Sequence, residues 1–357
     1  MVVLRFFLLP FAWLYGLIML IRGKLFKWQI LPSESFSIPV ISVGNLSYGG
    51  TGKTPLVEYM IRLLSEDKYV ATLSRGYKRK TRGFVLANKD STLEEIGDEP
   101  LQYKTKFDNI EVAVHERRRQ GIKQLKSTFA DLDVILLDDA FQHRYVKPGI
   151  SIVLTDFHKL YIKDFPIPAG SLREFRSAAC RADIIIVTKT PSVLSPITRR
   201  RLTGLIRPKI HQQLLFSCIS YEKPVPLLEK HRKLLKDRYN SILLFSGIAN
   251  SYPLQEQLIS MCYELHVIDF KDHHTYTERD LKKIKNNFDN MFTKNKAIFT
   301  TEKDAMRLNK SALREVIQNI PIFYIPIKVK FHNGDNIIFD DQIREYVEKN
   351  TGNHKLS

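Results

Sequence analysis

The run Ser47-Tyr48-Gly49-Gly50-Thr51-Gly52-Lys53-Thr54 constrains this chain more than any other segment. It follows the apolar stretch Pro39–Val43 and precedes an amphipathic run from Pro55 to Leu64, which reads as a strand, a glycine-rich turn and a helix start. That context is what a phosphate-binding Walker A loop requires. Gly49, Gly50 and Gly52 let backbone N–H groups close around phosphate oxygens at the positive end of the following helix. In that arrangement Lys53 neutralises the β and γ phosphates of a nucleotide and Thr54 holds Mg²⁺. The pattern G-x-x-x-x-G-K-[ST] has glycine where this chain has Ser47, and Gly44 lies too early to replace it.

Around this loop, short β-branched runs alternate with longer amphipathic stretches: Val70–Ser74, Glu111–Val114, Val134–Leu137, Ser151–Leu154 and Ile184–Thr188. The alternation predicts βαβ units on a mostly parallel sheet. The fold class expected is therefore α/β, a P-loop NTPase-type sheet with helices on both faces, a second smaller α/β domain and an N-terminal membrane-associated helix. The boundaries expected are 1–27 for that helix, 28–212 for the P-loop domain, 213–236 for a linker made of a strand-like segment, Leu214–Tyr221, and a stretch rich in proline and lysine, and 237–357 for the smaller domain. In the last of these, Ser241–Phe245, Leu265–Phe270, Ala297–Thr300 and Ile322–Val329 read as strands.

The N-terminal expectation rests on Phe6 to Ile21, which carries no charge and is followed by Arg22, Lys24 and Lys27. Its sixteen residues reach about 24 Å as a helix, against a hydrocarbon core of ~30 Å, so an embedded or monotopic helix and a span both fit. No A-x-A-like cleavage site follows it, and ATP chemistry downstream points to the cytosolic side. The alternative is a buried core helix.

The chain has 55 Lys and Arg against 38 Asp and Glu, a formal charge of +17. That balance suits an acidic partner: nucleic acid, anionic lipid or a phosphorylated substrate. Cys180, Cys218 and Cys262 stand far apart, with neither zinc-site spacing nor a disulfide framework.

Three acidic or histidine-bearing turns are candidates for chemistry. Val134 to Asp138-Asp139 is an apolar run ending in two carboxylates, which is how a strand delivers an acid to the magnesium beside a P-loop; Phe141-Gln142-His143 follows at the same strand end. Gly97-Asp98-Glu99-Pro100 is either an acidic helix start favoured by the helix dipole or the source of a general base. Asp272-His273-His274 is either a surface turn or a catalytic or substrate-binding element, since too few ligands lie near for a metal.

Taken together, VGNLSYGGTGKTP (43–55), LSRGY (73–77), GDEP (97–100), DDAFQH (138–143), GSLRE (170–174), FSGIAN (245–250), DHH (272–274) and TEKDAMRL (301–308) resemble the tetraacyldisaccharide 4'-kinase family of lipid A biosynthesis, in order along nearly the whole chain. The resemblance implies transfer of the γ-phosphoryl group of ATP to the 4'-hydroxyl of tetraacyldisaccharide 1-phosphate. It implies Asp98 as base, with His273 oriented against it, and Thr54, Asp138, Asp139, Gln142 and Glu174 around Mg²⁺ and the phosphates. It further implies a phosphoglycolipid substrate met at the cytoplasmic face of the inner membrane of a Gram-negative bacterium, with inner-membrane lipid as neighbour and neither nucleic acid nor an obligate protein partner. Two positions depart from the family's pattern: Ala140 where glycine is usual and Phe175 where proline is usual.

Two other readings compete. A P-loop GTPase or ATPase switch would read guanine with Asn/Thr-Lys-x-Asp; Thr188-Lys189 begins that pattern, but Pro191 occupies the aspartate position. A basic nucleic-acid-binding NTPase would use clusters such as Arg117-Arg118-Arg119 or Arg199-Arg200-Arg201, but no recognition module accompanies them.

Overall fold

The computed structural model describes residues 2–272, 274–308, 318 and 320–354, the side chains of 2–6 and 352–354 excepted. It divides into two units, 1–219 with 329–357 and 220–328.

In the larger unit the strands are β1 (Val40–Asn45), β2 (Val70–Ser74), β3 (Val85–Leu86), β4 (Glu111–Val114), β5 (Val134–Asp138), β6 (Ile150–Asp156), β7 (Ile184–Thr188) and β8 (Gln213–Tyr221). Together with a late strand, β14 (Ile327–Phe331), they form one sheet in the order β14-β8-β7-β6-β1-β5-β2-β4-β3. The run β8-β7-β6-β1-β5-β2-β4 is parallel throughout, and the short β3 closes the edge antiparallel to β4. β1 lies at the centre, every residue buried, with β5 on one side and β6 on the other. Complete burial is why it reads as a continuous apolar run rather than an alternating one.

Helices cover both faces. α2 (Lys53–Leu64) and α4 (Asp98–Lys106), with the C-terminal α10 (Asp335–His354), bury Leu56, Met60, Tyr103, Phe339 and Ile343 against Val43 and Leu136. α5 (Arg118–Thr128) and α6 (Pro196–Ile206) cover the opposite face, against Leu137 and Val187 respectively. Adjacent residues of β5 thus feed opposite faces, as the two-residue period of a strand demands.

The expected boundaries are corrected in two places. The strand-like segment Leu214–Tyr221 is strand β8, but it belongs to the large sheet rather than to a linker, pairing in parallel with β7. Residues 329–357 return to the larger unit, where Asp335 accepts from Arg199 at 2.6 Å and from the Phe216 backbone at 2.8 Å. The single run expected at Ile322–Val329 breaks at Pro326, which lacks the N–H a continuing ladder needs. β13 (Ile322–Ile325) ends before it and β14 begins after it, in different sheets.

The smaller unit carries β9 (Val225–Pro226), β10 (Tyr239–Ser246), β11 (Cys262–Asp269), β12 (Lys296–Thr301) and β13 in the order β11-β10-β12-β13-β9, with only β9 antiparallel. The FSGIAN and TEKDAMRL stretches meet here: buried Asp304 accepts from the Gly247 backbone at 2.9 Å and from Arg307 at 2.9 Å.

α1 (Val2–Lys27) continues beyond the uncharged run at both ends. Residues Phe7–Lys27 are long and apolar enough to cross a membrane, and Phe7, Phe11, Leu14, Leu17, Ile18 and Ile21 are exposed. Its other side docks through Tyr15, whose hydroxyl donates to the Arg173 carbonyl at 3.0 Å. Gly16 allows Phe175 to lie against the helix backbone, since a Cβ there would fall 2.4 Å from the ring, and Trp13 packs on the same ring. Phe175, the departure from the family pattern, is thus a helix-docking residue. Ala140, the other, is buried among the side chains that α5 covers.

The assignment of the C-terminal helix gives a direct test. Phe339→Ala should destabilise the larger unit by about 3–5 kcal/mol. In calorimetry the lowered transition should be the one that ATP raises; an unaltered ATP-sensitive transition would contradict the assignment.

Candidate active site

The glycine-rich loop spans the gap between β1 and α2. Gly52, with φ of 85°, turns the chain left-handed into the first turn of α2, a geometry that favours glycine. Ser47 needs no such freedom, because it pairs in extended conformation with Leu172, and the Tyr48 N–H donates to the Ser171 carbonyl at 2.8 Å. This is why serine serves where the general pattern has glycine.

The loop's other polar groups are braced from outside. Asn45 donates to Thr51 Oγ1 at 2.8 Å, and Thr188 at the end of β7 donates its hydroxyl to the Thr51 carbonyl at 2.8 Å. Lys189, held at φ of 55°, donates to the Gly50 carbonyl and pairs with Asp156 at 2.9 Å. With those carbonyls occupied, the Tyr48 N–H on Ser171 and the Thr51 N–H on the Gly49 carbonyl at 3.1 Å, the N–H groups of residues 52–54 at the start of α2 are the ones turned to an anion.

The end of β5 lies beside this loop, Val43 pairing with Asp138 across the sheet. Asp138 is buried; its Oδ2 accepts from the Tyr103 hydroxyl at 3.0 Å, while its Oδ1 is buried without a partner. Burial, together with the charges of Glu99 and Asp139, pushes the Asp138 carboxyl up to about 6 against the pull of Lys53. Burial and the neighbouring Asp138 and Glu99 keep Tyr103 a neutral phenol, well above its ordinary range.

Asp139 turns left-handed with φ of 48° and faces the cations. Arg173 donates to both its oxygens at 3.0 Å, and Lys53 lies 3.5 Å away. Burial acts to raise this carboxyl, but Lys53 and Arg173 overcome it and hold it below the usual range. Gln142 donates to the Asn45 carbonyl at 2.9 Å and accepts from Arg173 at 3.4 Å. Burial, with Arg118 and Arg75 nearby, lowers His143 to about 4, so its ring is neutral near pH 7.

The structure therefore gathers Lys53, Asp138, Asp139 and Gln142 about the loop. Glu174 has a different engagement: both its oxygens accept from Arg181, at 2.8 and 3.1 Å. Asp98 opens α4, which is tied to α2 through hydrogen bonds from Gln102 and Lys106 to Glu58, each 2.7 Å. His273 lies outside the described residues. His274, in the smaller unit, stacks on Phe270 and lies 3.1 Å from Asp280.

Among the described residues no group of three or more His, Cys, Asp or Glu forms a ready metal cage. Mg²⁺ needs none, because it takes one or two protein oxygens and fills its octahedron with water and phosphate. The unpartnered Asp138 Oδ1 and the Thr54 hydroxyl in the first turn of α2 are hard oxygen donors of that kind, and they fit the ion.

Sequence reasoning gave no role to Arg173, Tyr103, Thr188 or Lys189. Arg173 was findable, since it adjoins Glu174 in GSLRE; Thr188-Lys189 stood out only as an incomplete guanine motif.

Residues 4–348 match the family described as tetraacyldisaccharide-1-P 4'-kinase. This chain belongs to that family. Among its relatives, the tetraacyldisaccharide 4'-kinase of Flavobacterium johnsoniae is 46% identical over 97% of this chain and 98% of its own length. That of Bacteroides thetaiotaomicron is 43% identical over 98% and 95%. A crystal structure of the "apo" form of LpxK from Aquifex aeolicus in complex with ATP superposes with a TM-score of 0.73 at 27% identity, covering 96% of this chain and 99% of that one. The 4'-kinase family thus shares this two-sheet architecture.

The bracing of the loop predicts that Thr188→Val, which removes one buried hydrogen bond of about 1 kcal/mol, weakens ATP binding roughly fivefold. Calorimetric titration reads this directly; unchanged affinity would deny the brace a part in nucleotide binding.

Proposed function

We propose that this chain is an ATP-dependent lipid kinase. It transfers the γ-phosphoryl group to the 4'-hydroxyl of tetraacyldisaccharide 1-phosphate, giving the 1,4'-bisphosphate of lipid A biosynthesis. The observation that carries this reading is a braced glycine-rich loop beside the half-paired Asp138, inside a family match that runs nearly end to end.

In this reading the N–H groups at the start of α2, residues 52–54, and the Lys53 ammonium hold the β and γ phosphates, Lys53 shifting its charge from Asp139 to the nucleotide. Thr54 and Asp138 hold Mg²⁺, with Asp139 and Gln142 beside it. Mg²⁺, when bound, neutralises charge on the bridging and γ oxygens. Asp98 receives the proton of the 4'-hydroxyl as that oxygen bonds to phosphorus and the bond to ADP breaks. For His273 a part in catalysis is proposed from the DHH motif. Glu174, engaged by Arg181, is better placed to steady the 170–174 strap than to ligate the ion.

The acyl chains of the substrate remain in lipid, and α1 supports work at a membrane: its apolar residues are exposed and Arg22, Lys24 and Lys27 follow them. The cytoplasmic face of a Gram-negative inner membrane is the place this combination fits. No observation favours the guanine-switch or nucleic-acid readings; Lys189 is occupied with the loop and Asp156.

Assays of tetraacyldisaccharide 1-phosphate phosphorylation with purified variants test the roles. Asp98→Ala should lower kcat on the order of 100-fold or more while leaving the ATP Kd within about twofold, as a base acts in the transition state. Lys53→Ala should damage both. Normal turnover by Asp98→Ala would remove it from the role of base.

A further inference from the structure

Asp138 presents two oxygens in unlike situations. Oδ2 accepts the Tyr103 hydroxyl at 3.0 Å, and Oδ1, equally enclosed, has no partner. An unpaired carboxylate oxygen away from water is costly, and such a group in a native structure calls for a functional reason. Here a fixed hydrogen bond on one oxygen dictates the direction of the other.

The surroundings hold that direction from two sides. Tyr103 is completely buried, in the same core cluster as Leu56 and Met60 of α2 and Phe339 and Ile343 of α10. The Asp138 backbone is held separately: buried Arg118 donates to the Asp138 carbonyl at 3.1 Å and to the His115 carbonyl at 2.8 Å. Asp138 is thus fixed at main chain and at side chain by two different elements, just before Asp139 turns left-handed.

We propose that Tyr103 is a positioning residue for the Mg²⁺ ligand: by occupying Asp138 Oδ2 it aims Oδ1 at the ion. The proposal rests on the reading that Asp138 holds Mg²⁺. It also links two parts of the site, because Tyr103 rides on the nine-residue helix that opens with Asp98. The element presenting the proposed base and the strand end presenting the metal ligand form one hydrogen-bonded assembly. Partners of metal ligands acting in this way typically contribute 10–100-fold in metal affinity.

Tyr103→Phe removes the hydroxyl and keeps the ring. On the full-length protein, the Kd for ATP is measured by calorimetry in EDTA and again across a Mg²⁺ titration, alongside the Mg²⁺ dependence of kcat. The same series is run on Asp138→Asn and on the double variant. The expected result is an ATP Kd in EDTA within about twofold of the starting protein, a Mg²⁺ requirement raised roughly tenfold, and kcat recovered at high Mg²⁺. In the Asp138→Asn background the tyrosine change should add nothing. A purely packing role would shift the EDTA measurement as well, and would persist in that background; either result overturns the proposal. If Asp138→Asn loses the Mg²⁺ response while Tyr103→Phe keeps it, the positioning role fails and the ligand assignment stands. If Asp138→Asn keeps the ordinary Mg²⁺ response, the ligand assignment itself fails, and the proposal with it.

Discussion

A loop binds polyphosphate through its backbone N–H groups only if its carbonyls are turned away and held there, and the larger unit is organised around that constraint. The carbonyls of Gly50 and Thr51 go to Lys189 and Thr188, both at the end of β7, while Ser47 and Tyr48 pair with the 171–172 strap. β7 is not adjacent to β1 in the sheet; β6 lies between them. Bracing therefore depends on correct sheet order over three strands, which couples the global fold to the local chemistry of one turn. The strained backbone of Lys189 is consistent with a residue whose side-chain engagement outweighs its conformational cost.

A second theme is the unequal treatment of neighbouring carboxylates. Asp138 is buried, tied to a phenol and raised toward neutrality, whereas Asp139 faces Lys53 and Arg173 and is held ionised. Asp138 is the last residue of β5, and the left-handed turn at Asp139 carries the next carboxylate to Lys53 and Arg173. Asp139 also gives Lys53 a counter-ion before any phosphate arrives, which keeps that ammonium aligned across the loop.

The sheet strands and both phosphate-site motifs were legible because each has a local signature: a buried apolar run, a glycine spacing, a carboxylate at a strand end. What was illegible depends on distant pairing. Nothing local in 329–354 says that this segment returns to the first unit, and the strand character of Leu214–Tyr221 is visible while its place beside β7 is not. Tyr103 and Arg173 escaped notice for a related reason: an aromatic in a helix and an arginine in a loop are ordinary until the fold sets each beside an aspartate. The Ser47 departure was visible, but its harmlessness was not, since that required knowing that Leu172 would pair with it.

Magnesium-dependent phosphate transfer to a lipid hydroxyl is the central property proposed for the larger unit. The most direct measurement is to incubate the protein with γ-labelled ATP and tetraacyldisaccharide 1-phosphate in detergent micelles, with Mg²⁺ or with EDTA, and to locate the new phosphate on the lipid by phosphorus NMR. The account predicts label at the 4' position of the lipid with Mg²⁺ and none with EDTA. Hydrolysis of ATP without any transfer to the lipid, or transfer unaffected by EDTA, would contradict it.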